Sequence, residues 1–336
     1  MIILLVQVVG LTCASGCVFN RNKWPAPALA DPIYRATPTC DALVDAEQLY
    51  KQAVDLQRQN CGSCVDLFFE VAVLTSHAEN CSSKNSRTRQ LHDSALQQIV
   101  IAGEKYHRLD PAKGLIVYLN DGEQLIPIRF RGFVRDAKEF QRFVPVGDYK
   151  TKSLSNYHRC PGVGVPLVVT GRPACGELFR SQQLSFAATL RMNVQPLAYH
   201  YGVDQTPGDI QLELYDPLRV DSVVADQRRL PLAKDLAAPI AYRIRNRRSN
   251  VLSGFIRPGA VSPDSGSTEG NLYTLEPYQA GKIPVILIHG LLADRFTWAE
   301  MANELIARPG FVDRFQLWVF EYPSGRPFLE SAADLR

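Results

Sequence analysis

Three groups of residues in this 336-residue chain have the types and spacing that chemistry requires. One is Ile283-Pro-Val-Ile-Leu-Ile-His289-Gly290-Leu291-Leu292, an apolar run that breaks on a His-Gly pair. Glycine at that break lets the backbone turn sharply and come close to a substrate. Another is the set of eight cysteines, which includes Cys61-Gly-Ser-Cys64. The last is the uncharged N-terminal run ending at Cys17. His158 and His200 stand alone and read as surface or capping residues.

The cysteines argue for cross-links rather than for metal or redox chemistry. Cys40 opens a helical segment that closes near Cys61, and Cys64 opens another that closes near Cys81. In an antiparallel helical hairpin Cys40 and Cys81 meet at one end, and Cys61 and Cys64 share the other. A zinc site drawing on all four fails, because a helix of that length separates its ends by roughly 25 Å. A thioredoxin-like use of Cys61 and Cys64 would want a strand before the pair, where a helix stands. Cys160 and Cys175 are placed to close a second loop. An even set of six in an exported chain fits a disulfide framework.

Export is the reading of the N-terminus. Ile2, Ile3, Leu4, Leu5, Val6, Val8, Val9 and Leu11 crowd the start of the chain, and the first basic residues are Arg21 and Lys23. Such a run is short for a membrane span and fits a secretory signal. Ala14-Ser15-Gly16-Cys17 resembles the lipobox of bacterial lipoproteins, with Ala14 in place of the usual Leu. The resemblance implies lipid on Cys17, a membrane anchor and the cell envelope. Simple cleavage and an uncleaved anchor are the alternatives.

Periodicity supplies the frame around these groups. Residues 1–17 are the signal, and residues 18–39, with four prolines, form an extended tether. Residues 40–110 read as helical: Leu43, Ala46, Leu49, Tyr50, Ala53 and Val54 recur at helical spacing, and Leu91, Ala95, Leu96, Ile99, Ala102 and Tyr106 share one face. Phe68-Phe69 belongs to the core of that hairpin region. Residues 111–257 read as a β-rich domain, a small sandwich or open barrel. Leu115–Leu119 and Leu125–Phe130 form a hairpin across Asn120-Asp121-Gly122. Ile210, Leu212 and Leu214 alternate with polar residues as in a half-buried antiparallel strand. A helix is expected over 235–246, its arginines in solvent. A Pro-, Ser- and Gly-rich linker occupies 258–271.

The last unit, 272–336, carries the most specific signal. Val285–Ile288 is four apolar residues in a row, as in a parallel strand buried on both faces. A helix follows from Thr297 to Ile306, then a strand over Gln316–Glu321 and a helix from Leu329. LEPYQAGKIPVILIHGLLADRFTWAEMANEL followed by FQLWVFEYPSGRPFLESAADLR resembles the early core of bacterial α/β-hydrolases of the esterase and lipase type. The resemblance covers about a fifth of the chain. With the regions read from periodicity, the chain is expected to be multidomain: an α-helical hairpin region, a β-rich domain and then, as the resemblance implies, a truncated α/β-hydrolase core with a parallel sheet. The resemblance also implies that the backbone N–H of Leu291 serves an oxyanion hole, worth about 3 kcal/mol in such enzymes. His289, Gly290 and Leu292 shape that turn, with His289 a buttress rather than the base, and Leu292 and Phe296 could line an acyl pocket. The implied substrate is an ester or lipid, attacked by a serine, with no metal or organic cofactor.

The family's Gly-x-Ser-x-Gly elbow is absent, and Ser324 and Ser331 lack its strand-turn-helix frame. The chain as given is therefore expected to show no turnover, its complete form being a serine esterase or lipase. The alternative is an exported, non-enzymatic binding or adaptor module with a vestigial hydrolase piece. In either case the strands present would expose apolar edges that invite a partner chain. The net charge of +3 gives no support for a nucleic-acid partner. Nothing in the sequence sets the oligomeric state.

Overall fold

The computed structural model describes residues 40–76, 87–119, 122–146, 154–172, 184–194, 210–225, 227–246, 270–276, 278–290, 295–322 and 327–336. It opens with α1 (Cys40–Arg58), α2 (Cys64–Thr75) and α3 (Arg87–Lys105). α2 is apolar nearly all round because it is covered on several sides: Phe68 and Phe69 are fully buried, and Tyr50 of α1 meets Phe68 edge-on at 5.5 Å.

The strands that follow are β1 (Leu109–Asp110), β2 (Gly114–Leu119), β3 (Gly122–Arg131), β4 (Phe140–Pro145), β5 (Arg159–Cys160), β6 (Val165–Gly171), β7 (Leu184–Val194) and β8 (Ile210–Tyr215). Seven of them form one mixed sheet in the order β1-β2-β3-β8-β7-β6-β4. β2 and β3 make the expected hairpin. The register hands over at Pro127: residues 122–127 of β3 pair with β2, and Ile128–Arg131 pair in parallel with β8. A residue without an N–H suits a point where the strand changes partner. The helices and the sheet share one hydrophobic cluster, running from Ala53 and Phe68 through Leu115, Leu167 and Leu190 to Leu214.

The chain then makes β9 (Ser222–Ala225), β10 (Arg228–Pro231), β11 (Lys234–Asp235) and α4 (Ala238–Asn246). β9 and β10 pair with each other, and β11 pairs with β5. The final elements are β12 (Asn271–Thr274), β13 (Ile283–Ile288), α5 (Ala299–Ile306), α6 (Phe311–Arg314), β14 (Phe315–Glu321) and α7 (Phe328–Leu335).

Here the structure corrects the expected fold. Residues 272–336 do not build the parallel core of an α/β-hydrolase. The large sheet of the molecule is mixed, with mostly antiparallel neighbours. The C-terminal sheet has three strands in the order β12-β14-β13, and β12 runs antiparallel to β14. One parallel pair remains, Ile283↔Phe315 to Ile288↔Phe320. Nor is β13 buried on both faces. It lies at the sheet edge with Ile283, Ile286 and Ile288 at 54%, 39% and 44% exposure. An unbroken apolar run fits a doubly covered strand and also a strand covered on one face that carries isoleucines on the other. Sequence period cannot separate the two.

The C-terminal sheet docks on the rest through α5. Glu300 accepts the Ser155 N–H at 2.9 Å, and the Asn303 amide donates to the Asn156 carbonyl at 2.9 Å. Glu304 accepts from the Asn156 amide at 2.8 Å and lies 3.1 Å from His158 Nε2. The Asn156 bond, then that to His158, holds the Glu304 carboxyl below its usual range. Leu154, Ala237, Ala241 and Ala299 pack beneath these contacts.

Candidate functional site

The expected turn sits where β13 and β14 end side by side. His289 is 3% exposed. The Tyr322 N–H donates to its Nε2 at 3.2 Å, so that nitrogen must carry the lone pair. The ring proton then sits on Nδ1 and is donated to the Gly290 carbonyl at 2.9 Å. The Tyr322 hydroxyl donates to the His289 carbonyl at 3.1 Å, and the two rings stack at 4.5 Å and 7°. Both ring nitrogens are therefore engaged. The imidazole braces the two strand ends against each other and has no lone pair left to take a proton from a nucleophile. A side-chain carbon placed on Gly290 would meet nothing within 4 Å among the described residues. Leu291 and Leu292 fall outside the described residues, as does Ser324. Phe296 is half-buried, and Ser331 is buried on α7 with no hydrogen bond to its hydroxyl among the described residues.

The cysteines divide in a way the sequence did not show. Cys61 and Cys64 are buried free thiols, and Cys160 is an exposed one, so no disulfide forms among the described residues. The side chain of Cys40, and Cys17, Cys81 and Cys175, lie outside them. Burial, helped by the neighbouring Cys61 and Asp66, pushes the Cys64 thiol up to about 11. A thiol held protonated at neutral pH is a poor nucleophile, which agrees with a structural rather than a redox role for this pair.

Sequence reasoning missed a cavity of about 600 Å³ between α3 and the β5–β11 pair. Arg89, Asp93, Arg159, Cys160, Lys234 and Asp235 line it. Three cations face two carboxylates, and the charges are largely spent on one another. Arg159 Nε donates to Asp235 at 2.6 Å, Lys234 pairs with Asp221, and Arg89 donates to the Gly162 carbonyl. The cavity wall is thus held by ion pairs and does not present a concentrated positive field. Its members come from three distant parts of the chain and form no motif. Gly162 is the one local sign: a side-chain carbon there would lie 2.2 Å from the Leu232 backbone.

A second polar cluster lies between the two sheets. Asp216, just past β8, pairs with Arg219, which also donates to Glu276 at 2.9 Å and Gln279 at 3.3 Å. Burial pushes the Asp216 carboxyl up to about 6 despite the Arg219 guanidinium beside it.

The outer edge of β13 is unpaired among the described residues, and the strand Ile-Pro-Val-Ile-Leu-Ile carries no charge. Its inner face is covered: Leu287 packs with Ala302, Leu317 and Val319, and Val285 packs beside them. Among the described residues no group of three or more His, Cys, Asp or Glu could hold a metal ion, and no helix is long and apolar enough to cross a membrane. No protein family, curated protein or solved structure matches this chain.

Proposed function

We propose that the chain works by binding rather than by catalysis, with the outer edge of β13 as its working surface. The observation that carries this reading is a six-residue, uncharged edge strand with three exposed isoleucines. Edge strands of soluble proteins are ordinarily protected by charge, by proline or by cover, because free N–H and C=O groups recruit another strand. Pro284 protects only the first part of β13. Lys282, the nearest flanking charge, is turned away and donates to the Val312 carbonyl. The mode is strand addition: backbone hydrogen bonds supply affinity, and alternate side chains supply selectivity.

The test is capture of a short fluorescent peptide of alternating isoleucine and threonine, capped with lysines, by nanomolar to micromolar chain. Binding in the micromolar range is expected, with a loss of about tenfold or more in Ile286→Lys, where an ammonium sits on the contact strand. Equal binding by Ile286→Lys would remove the edge as the surface.

A second reading, ester hydrolysis, is favoured by the place of Gly290 at the carboxyl ends of a parallel strand pair. With the His289 ring committed to the brace, the proton-shuttling base of such a reaction must be another group. The purified chain is expected to hydrolyse p-nitrophenyl butyrate no faster than the heat-denatured chain. Turnover that a serine-directed phosphonate abolishes would reverse the order of the two readings.

A further inference from the structure

We infer that the strand recruited by β13 is β13 of a second copy, paired antiparallel about a two-fold axis at Ile286. This rests on the reading of the β13 edge as a binding surface. β13 is bonded on one side only, to β14. Pro284 has no N–H to give that ladder, so its backbone groups belong on the open side, and by alternation those of Ile286 and Ile288 lie there too. The open edge therefore offers the Pro284 carbonyl and both groups of Ile286 and Ile288.

This pattern is complementary to itself. With the axis at Ile286, each Ile286 exchanges both of its bonds with the other copy's Ile286. Each Ile288 N–H meets the carbonyl of the other copy's Pro284. The only bond missing is the one that Pro284 cannot make in any register. A one-residue slip in register, which moves the axis by half a residue, would pair groups that face β14 with groups that face outward.

Charge agrees with the same register. Lys282 falls opposite Gly290 of the second copy, so no like charges meet across the strands, and the core of the contact is uncharged. Isologous contacts of this kind close on themselves, which limits assembly to two copies. Apolar cover is available beside the strands: Ile283 and, on α5 over the inner face, Met301 are exposed. Strand pairing over about 20 Å buries less than the roughly 800 Å² per partner of a tight complex, so a dissociation constant on the order of 10–100 µM is expected.

Light scattering after size exclusion, over loading concentrations from about 1 to 200 µM, reads the equilibrium. The full chain should move from monomer toward dimer, and Ile286→Lys should stay monomeric while keeping the circular dichroism of the parent. Geometry is read separately in a Cys160→Ser background, which removes the exposed thiol. Hydrogen-bonded antiparallel partners have Cα atoms about 5.5 Å apart, within disulfide range. Mild oxidation should therefore cross-link Ile286→Cys well beyond the Cys160→Ser parent, and Ile283→Cys far less.

A monomer throughout the range overturns the second copy as partner, as does a dimer that Ile286→Lys leaves intact. Cross-linking of Ile283→Cys as fast as Ile286→Cys overturns the register. If the chain is monomeric yet captures the isoleucine–threonine peptide, the edge still binds strands and only its occupant is wrong. If it does neither, both readings fall.

Discussion

Replacing Arg108 by Ala is expected to lower the free energy of unfolding by about 3–5 kcal/mol, read from urea denaturation. The guanidinium is buried where α2, α3 and β2 meet. It donates to both Asp66 oxygens, to the Ile116 carbonyl at 2.8 Å and to the Gly62 carbonyl at 3.2 Å, and it lies 4.5 Å from the centre of the Tyr118 ring. Asp66 in turn accepts the Tyr118 N–H at 2.7 Å. Truncation leaves the largely buried Asp66 carboxylate without its cation and the Ile116 carbonyl without its side-chain donor, and those unpaired groups set the magnitude. The contrast is Arg58→Ala. Its pair with Asp55 is solvent-exposed at 3.2 Å, so its loss should move the midpoint little. A small effect at Arg108 would mean that water already enters the junction.

The second large effect depends on pH. Asp216 titrates near 6 in the folded protein, above the ordinary 3.8, because burial disfavours its charged form. A raised carboxyl binds more protons folded than unfolded across that window, so its contribution to stability falls as pH rises from about 4 to 6. A carboxyl that holds its proton about two pH units higher when folded than when unfolded changes stability by about 3 kcal/mol across that window. Asp216→Asn keeps the shape and removes the titration. The stability of wild type relative to Asp216→Asn should therefore increase by up to about 3 kcal/mol as pH is lowered from 7 to 4. Urea midpoints at several pH values across that range give the curve. A flat difference would show that Arg219, shared with Glu276, fully compensates the burial.

Much of the local structure was legible. The helical spacing from Leu91 to Ala102 became α3, the alternation at Ile210–Leu214 became β8, and Leu115–Leu119 paired with residues 122–126 as a hairpin. Phe68 and Phe69 entered the core as their place on an apolar helix required. What could not be read was which strands become neighbours. β8 pairs in parallel with β3 and antiparallel with β7, and nothing in its own six residues encodes that difference. The same blindness produced the hydrolase expectation, since Val285–Ile288 reads alike at the centre and at the edge of a sheet. β5 and β11, two residues each, lie below any periodic signal, and the cavity they border went unseen with them. At the candidate site, the His289-Gly290 break was legible in the sequence. The partners of Arg159 and Arg219 were not, because ion pairs between distant residues leave no spacing to find.

The hand-over at Pro127 has a kinetic consequence. Arg129 of β3 meets Gln211 across 82 residues of chain. At synthesis rates of about 5–20 residues per second, β3 waits roughly 4–16 s for its second neighbour. During that interval the flank of β3 that β8 will cover has no strand beside it.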